Sequence, residues 1–326
     1  MKKDAKKLTS LILSLTLLLS ALCTANVAAQ TDNTVTVTVQ NLTFDGAPWT
    51  GELFSAKVGL QENDSLESVI ERAVSENNYD FTVSNFGYIS SVNGLAEFAA
   101  NGSGGWMASL NDWFTADGTS AYTVANGGLQ AGDEIVLQYT CAWGSDVGSL
   151  YGDFNTALST DFAVEGSAVA GFAFNAASTA DEGALYITAP DTLTVHAAPV
   201  NKNYQTRFYL NEYTPEAEGY RGGKNIPVKD GDTVYIGVGN PAWPSMNSWS
   251  GIADESVYRF KVEQIVMGDV NRDGKCNVDD VTELQRYLAE FITLDSAQTA
   301  AADMDGNGII TISDATAIQC ALAEFA

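Results

Sequence analysis

The chain has 326 residues, enough for two or three domains, and its 41 Asp and Glu residues against 16 Lys and Arg give a formal net charge of −25. A surface this acidic repels nucleic acids and anionic membranes, so both are excluded as expected partners. It is compatible with the binding of cations or neutral ligands.

Residues 1–29 are predicted to be a secretory signal peptide. Four lysines precede an apolar run from Leu11 to Leu22, and Val27, Ala28 and Ala29 fit the small-residue pattern of a cleavage site. We expect no membrane span, because this run is too short and no other segment is long and apolar enough. Removing the four lysines and one aspartate of this segment leaves 12 basic and 40 acidic residues. The sequence therefore predicts a secreted, extracellular protein.

Residues 31–143 are predicted to form a small α+β domain. Alternation of Thr and Val from Thr34 to Val39 is typical of a strand, and a second strand is predicted from Ile135 to Tyr139. Between them, Asn63 or Asp64 can cap a helix. One face of that helix is apolar and contains Leu66, Val69, Ile70, Ala73 and Val74.

Four segments of this block, residues 87–94, 104–111, 121–124 and 132–140, resemble the bacterial domain that is similar to the C-terminal β-domain of transcobalamin. This family has a Gly-Trp-Met strand that leads into an Asn-Gly turn, whereas Asp112 follows Asn111 here. In vitamin carriers the domain covers one face of cobalamin, so a corrinoid is an alternative ligand. The partner helical domain of those carriers is absent, which weakens that alternative.

Trp106 and Trp113 are the candidate ligand-binding residues of this block. A flat aromatic ring can pack against the C–H face of a sugar. Trp113 follows Asn111 and Asp112 in a turn, so we predict that it is exposed. For Trp106 the alternative is a place in the core.

Residues 144–160 are rich in Gly, Ser and Asp and are predicted to be a linker. Residues 161–265 are predicted to form a β-sandwich, because short apolar runs alternate with turn signals and show no helical period. The candidate strands are Ala168–Phe174, Ala184–Ala189, Thr192–Ala197, Arg207–Leu210, Thr233–Val238 and Val257–Val262.

A second candidate ligand site lies in the loop from Asn240 to Gly251 of this block. Trp243 and Trp249 could form a platform for a sugar, with Asn240 and Asn247 as partners of its hydroxyl groups. The alternative is that both rings pack inside the end of the sandwich.

Residues 267–326 contain an internal repeat with an offset of 34 residues. Asp269 corresponds to Asp303, and Gly274 corresponds to Gly308. Each repeat has oxygen-bearing side chains at positions 1, 3, 5, 9 and 12 of a loop with glycine at position 6. This spacing predicts a calcium loop, since Ca²⁺ prefers six to eight oxygen ligands and the glycine permits the sharp turn.

The repeat predicts two Ca²⁺ ions. The ligands in the first loop are Asp269, Asn271, Asp273, the Lys275 carbonyl, Asn277 and Asp280. Those in the second are Asp303, Asp305, Asn307, the Ile309 carbonyl, Thr311 and Asp314. Because three carboxylates in each loop repel one another without the ion, we expect the calcium-free module to be loosened or unfolded.

With these loops, residues 267–326 resemble a type I dockerin, a small all-α calcium-binding module. The resemblance implies binding to a cohesin module on a scaffoldin of a cellulosome- or amylosome-like complex, and so attachment to a cell surface. The family's cohesin-reading positions correspond here to Val278, Asp279, Gln285 and Arg286 in the first repeat and to Ile312, Ser313, Gln319 and Cys320 in the second. Because the two sets differ, we expect one preferred docking orientation.

The sequence favours a non-catalytic protein. It contains no Gly-x-Ser-x-Gly, His-Glu-x-x-His or phosphate-loop motif, and it has one histidine. The main hypothesis is a docking protein that binds polysaccharide, such as starch or a plant glycan, through its N-terminal domains. The alternatives are binding of a corrinoid or a protein partner, and a small glycoside hydrolase.

Overall fold

The computed structural model describes residues 33–84, 87–174, 182–248, 250–251 and 253–324. The predicted signal peptide and Trp249 lie outside these residues. Sheets dominate the N-terminal part of the described chain, and three of its four α-helices cluster at the C-terminal end. This arrangement confirms the predicted multidomain fold class. No helix in the described ranges combines the length and the apolar content that a membrane span requires.

The first domain is a five-stranded sheet in the order β2-β1-β8-β6-β7, with a second sheet in the order β3-β4-β5. Strand β1 runs parallel to β8 and antiparallel to β2. The elements are β1 (Thr34–Asn41), β2 (Gly51–Gly59), α1 (Leu66–Glu76), β3 (Phe81–Val83), β4 (Ile89–Val92), β5 (Leu95–Ala96), β6 (Gly105–Leu110), β7 (Trp113–Phe114) and β8 (Glu134–Thr140).

Helix α1 packs its predicted apolar face into the core of this domain, and all five residues of that face are buried. Its N-cap is Ser65, which forms a capping box with Ser68, rather than Asn63 or Asp64 as predicted. Asp64 is 5% exposed and binds Arg72, with Nη1···Oδ1 2.9 Å and Nη2···Oδ2 2.5 Å. The Arg72 guanidinium holds the pKa of Asp64 below its usual value, so this carboxylate stabilises the helix start as an ion pair.

The second domain is a β-sandwich in which a five-stranded sheet, β10-β11-β16-β15-β13, and a three-stranded sheet, β14-β12-β9, share one core. All six predicted strands are present, and the short strands β9 and β14 were not predicted. The elements are β9 (Ala163–Glu165), β10 (Val169–Ala173), β11 (Glu182–Ile187), β12 (Asp191–His196), β13 (Thr206–Leu210), β14 (Ile226–Val228), β15 (Thr233–Val238) and β16 (Ser256–Gln264).

Residues 144–160, predicted to be a linker, pack along the sandwich. The Asn201 side chain donates to the carbonyl of Leu150 at 2.9 Å and to that of Asp153 at 2.7 Å. Leu158 is 2% exposed and belongs to the sandwich core. The second core therefore begins before residue 161, because buried apolar contacts rather than composition define where a domain starts.

A cluster of ionic hydrogen bonds joins the first domain to the sandwich. Arg221, at the start of the 3-10 turn Arg221–Gly223, binds Asp133 through Nε at 2.5 Å and Nη2 at 2.8 Å. The side chain of Asp133 is 1% exposed. Lys224 donates to the Gly132 carbonyl at 2.6 Å and pairs with Glu134 at 2.8 Å. Both cations come from the sandwich, and the acceptors lie on the turn that leads into β8.

The C-terminal unit contains α2 (Val278–Leu288), α3 (Ser296–Ala302) and α4 (Ile312–Glu324). Helices α2 and α4 are the predicted ones, and Val281, Leu284 and Ile318 lie in their shared core as expected. Helix α3 was not predicted. Its alanines, Ala297, Ala300 and Ala301, pack against the sandwich around Tyr186, whose hydroxyl lies 2.7 Å from that of Ser296.

We predict that Arg221→Met lowers the free energy of unfolding by about 3 kcal/mol or more, because it leaves the Asp133 carboxylate buried and unpaired. Urea unfolding followed by tryptophan fluorescence would measure the change. Arg259→Met is the matched control, since Arg259 and its partner Glu182 are 51% and 68% exposed and such a pair contributes about 1 kcal/mol or less. Equal losses in the two variants would contradict the role given to Arg221.

Candidate calcium-binding and docking site

The two C-terminal loops are built around the carboxylate at position 1 of each. Asp269 accepts hydrogen bonds from the backbone of Asp273 at 3.1 Å and Gly274 at 2.9 Å. In the second loop Asp303 accepts from the equivalent backbone groups, at 3.2 Å and 2.7 Å. The glycine at position 6 is left-handed in both loops, with φ of 87° and 79°. The repeat in sequence is therefore a repeat in backbone geometry.

The carboxylate at position 12 closes each loop onto its helix. Asp280 accepts from the backbone of Asn277 at 2.8 Å, and Asp314 accepts from that of Thr311 at 2.8 Å. These two carboxylic residues are 0% and 1% exposed. Each also accepts a second backbone hydrogen bond, Asp280 from Asn271 at 2.9 Å and Asp314 from Met304 at 3.0 Å, and no Lys or Arg side chain is paired with either one among the described residues.

The second loop brings three carboxylates together. Oxygen atoms of Asp303, Asp305 and Asp314 all lie within 4.8 Å of one another. Ligands on opposite sides of a calcium ion lie about 5 Å apart, so this group fits the ion in both spacing and chemistry. In the first loop Asn271 offers an amide oxygen at the position of Asp305. Calcium, when bound, supplies the positive charge that these carboxylates lack.

The predicted cohesin-reading residues are exposed in both repeats. They lie in the first turns and on the outer faces of α2 and α4, while the opposite faces of these helices pack together. Val278 and Ile312, at equivalent positions, are 69% and 63% exposed, which is unusual for large apolar side chains. The full set is Val278, Asp279, Gln285, Arg286, Ile312, Ser313, Gln319 and Cys320.

The candidate ligand residues of the first domain are buried. Trp106 is 3% exposed, and its indole N–H donates to the Leu95 carbonyl at 3.1 Å. Trp113 is 8% exposed, so the prediction of an exposed ring is wrong. Asn111 and Asp112 have φ of 48° and 71°, and this tight turn brings Trp113 back onto β6 and its ring edge against Tyr122.

The described candidate residues of the Asn240–Gly251 loop, Trp243, Asn240 and Asn247, do not form an open platform. Trp243 is 6% exposed, and its indole N–H donates to Pro215 O at 2.9 Å. Asn247 is fully buried, and its amide donates to Asp153 O at 2.7 Å. Asn240 donates to Glu255 at 2.6 Å. These side chains hold the loop against the sandwich, because each polar group is used within the protein.

Two oxygen-lined loops, each followed by a helix, define the C-terminal unit as a calcium-binding helical module. The family model of the type I dockerin domain matches residues 267–323, so the chain carries a type I dockerin at its C-terminus. Type I dockerins bind calcium, and a cohesin is the partner that this domain implies.

A second family model, that of a domain of unknown function (DUF4430), matches residues 63–140. This match does not confirm the resemblance to the transcobalamin β-domain. No curated protein matches the chain.

We predict that chelation of calcium lowers the helical content of the full chain and leaves its β-sheet signal unchanged. At a calcium concentration 100 times the dissociation constant, the ion stabilises the module by about 2.7 kcal/mol. Circular dichroism during thermal unfolding, with and without chelator, would measure both effects.

The variants Asp280→Ala and Asp314→Ala should each weaken calcium binding, which calorimetry would detect. Asp279→Ala is the control, since Asp279 is exposed and lies next to a ligand position. Unchanged calcium binding in both ligand variants would contradict the assignment.

Proposed function

We propose that the protein is secreted and attaches to a scaffoldin at a cell surface through calcium-dependent binding of its dockerin to a cohesin. The dockerin match over residues 267–323 is the observation that carries this proposal. The exposed apolar residues Val278 and Ile312 support it, since exposed apolar side chains rimmed by polar ones are typical of protein interfaces.

The proposed calcium content is two ions, one in each loop. Both loops have the same hydrogen bonds at positions 1 and 12 and a left-handed glycine at position 6. The proposed ligands are the twelve groups predicted from the sequence. Calcium binding at each site then stabilises the helix that follows the loop, because the position 12 carboxylate lies in the first turn of that helix.

The two repeats offer a cohesin different chemistry. Arg286 in the first repeat corresponds to Cys320 in the second, and Asp279 corresponds to Ser313. A partner that pairs with the charges of α2 does not find them on α4. We therefore propose one preferred docking orientation, with the first repeat as the main contact.

We predict that Arg286→Ala weakens cohesin binding by roughly tenfold or more, since arginine is enriched among the residues that dominate interfaces. Gln319→Ala, on the other repeat, should change the affinity little. Calorimetry with the full calcium-loaded chain would measure both, and Glu290→Ala provides an exposed control outside the predicted set. Equal weakening by Arg286→Ala and Gln319→Ala would refute a single orientation.

The N-terminal domains are proposed to bind a neutral polysaccharide, such as starch or a plant glycan, without catalysis. The acidic surface suits a neutral ligand better than an anionic one. Association of dockerins with polysaccharide-degrading assemblies is a supporting analogy.

We predict that the chain is retarded in gels that contain starch, xylan or a soluble cellulose derivative, and releases no reducing sugar from them. A spectral shift of added cobalamin without retardation in any gel would favour the corrinoid alternative. Release of reducing sugar would identify a glycoside hydrolase instead.

A further inference from the structure

A cleft lies between the first domain and the sandwich, with a volume of about 390 Å³. Trp113 and Tyr122 line it from the first domain, and Arg207, Glu216 and Tyr220 line it from the sandwich. Ligand sites form preferentially at domain interfaces, and this volume falls in the range that holds a small organic molecule. No residue of the calcium module contributes to it.

The ionic cluster around Arg221 fixes the walls of this cleft. Arg221 itself lines the cleft, binds Asp133 in the first domain and pairs with Glu218 on the sandwich side. Gln130 of the first domain donates to Glu218 at 3.2 Å. The Arg221–Asp133 and Gln130–Glu218 bonds cross the domain boundary beside the cleft. The shape of the cleft is therefore set before a ligand arrives, which lowers the entropy cost of binding.

Arg207 is held in one orientation at the cleft. Its guanidinium carbon lies 4.7 Å from the centre of the Trp243 ring, and Nε and Nη2 donate to Gln205 Oε1 at 3.2 Å and 3.1 Å. Nη1 donates to the Ala217 carbonyl at 3.4 Å. These bonds use three of the five N–H groups of an arginine. The other two have no partner within the described residues and remain for a ligand.

The remaining lining is suited to hydroxyl groups. The exposed carboxylate of Glu216 lines the same cleft as Arg207, and the aromatic lining consists of the half-buried Tyr220 together with Trp113 and Tyr122, each 8% exposed. A guanidinium donor and a carboxylate acceptor in one cleft can both bind the hydroxyls of a sugar, and an aromatic side chain can pack on its C–H face. The carboxylates of Glu216 and Glu218, together with the net charge of −25, disfavour an anionic ligand.

We propose that this interdomain cleft is the saccharide-binding site of the protein and takes a segment of a neutral glycan. Arg207 donates to its hydroxyls, Glu216 accepts from them, and the ring of Trp243 supports Arg207 from beneath. The inference rests on the proposed binding of polysaccharide and adds the place and the residues. It also gives the buried Trp243 a role as the support of Arg207.

The test uses the full calcium-loaded chain and isothermal calorimetry with neutral oligosaccharides from starch, xylan and cellulose, with a uronic acid oligomer as the anionic comparison. Arg207→Lys keeps the charge and removes the planar fork, and Glu216→Gln keeps the size and removes the charge. Each should weaken binding by roughly tenfold, because the lysine ammonium and the glutamine amide oxygen can still form hydrogen bonds but lose the fork geometry or the charge assistance.

Arg259→Lys and Glu212→Gln are the matched controls, because both residues are exposed and neither lines the cleft. They should leave the affinity unchanged, and all variants should remain folded by circular dichroism and keep their cohesin binding. If the wild type binds a neutral oligosaccharide and both cleft variants bind it equally well, the cleft assignment fails while polysaccharide binding stands. If the wild type binds none, both proposals fail, and a preference for the uronic acid oligomer overturns the neutral class.

Discussion

A carboxylate that is removed from water needs hydrogen bonds or a positive partner, and this protein has far fewer cations than carboxylates. Two of its arginines meet this need. Arg72 pairs with the buried Asp64 at the start of α1, and Arg221 pairs with the buried Asp133 between two domains. In the C-terminal module Asp280 and Asp314 are equally buried and accept backbone hydrogen bonds, and a bound calcium ion would supply the positive charge there.

The same constraint connects stability with the arrangement of the domains. The Asp133–Arg221 pair holds the first domain to the sandwich. Residues 144–160 pack against the sandwich instead of forming a free tether. Arg221 of this pair also lines the cleft. A site made from two domains needs such a fixed boundary, because a small rotation would separate Trp113 from Arg207 and lose the shared lining.

The sequence predicts this structure well wherever a short spacing decides the outcome. The calcium loops, the apolar face of α1 and six strands of the sandwich follow from local period and turn chemistry. All apolar residues of helix α3 are alanines, so its sequence shows no clear contrast between an apolar and a polar face. Strand β14 has three residues and contains Pro227, which reads as a turn. The sequence also allowed Asp64 as the N-cap of α1, but Asp64 pairs with Arg72 and Ser65 is the N-cap.

The candidate ligand site could not be predicted from sequence, because burial of a ring depends on contacts between distant segments. Trp113 and Trp243 look alike in sequence, each in a polar turn, yet both are covered in the folded chain. Arg207 has no motif around it. Its role depends on the Trp243 ring beneath it and on the cleft that it lines together with Glu216, and both arise only in the folded chain.

The alanine face of α3 packs the dockerin against the sandwich, so the two are in direct contact. Ala300 lies so close to Gly171 that a β-carbon added to this glycine would sit 3.3 Å from the alanine methyl. Modules of this kind are often treated as tags that can be moved between proteins. Here a transplanted copy would carry an uncovered alanine patch, and the sandwich left behind would expose its matching surface around Tyr186. Because α3 packs against the sandwich, the cleft and the scaffold bound by the dockerin would keep a fixed orientation relative to each other.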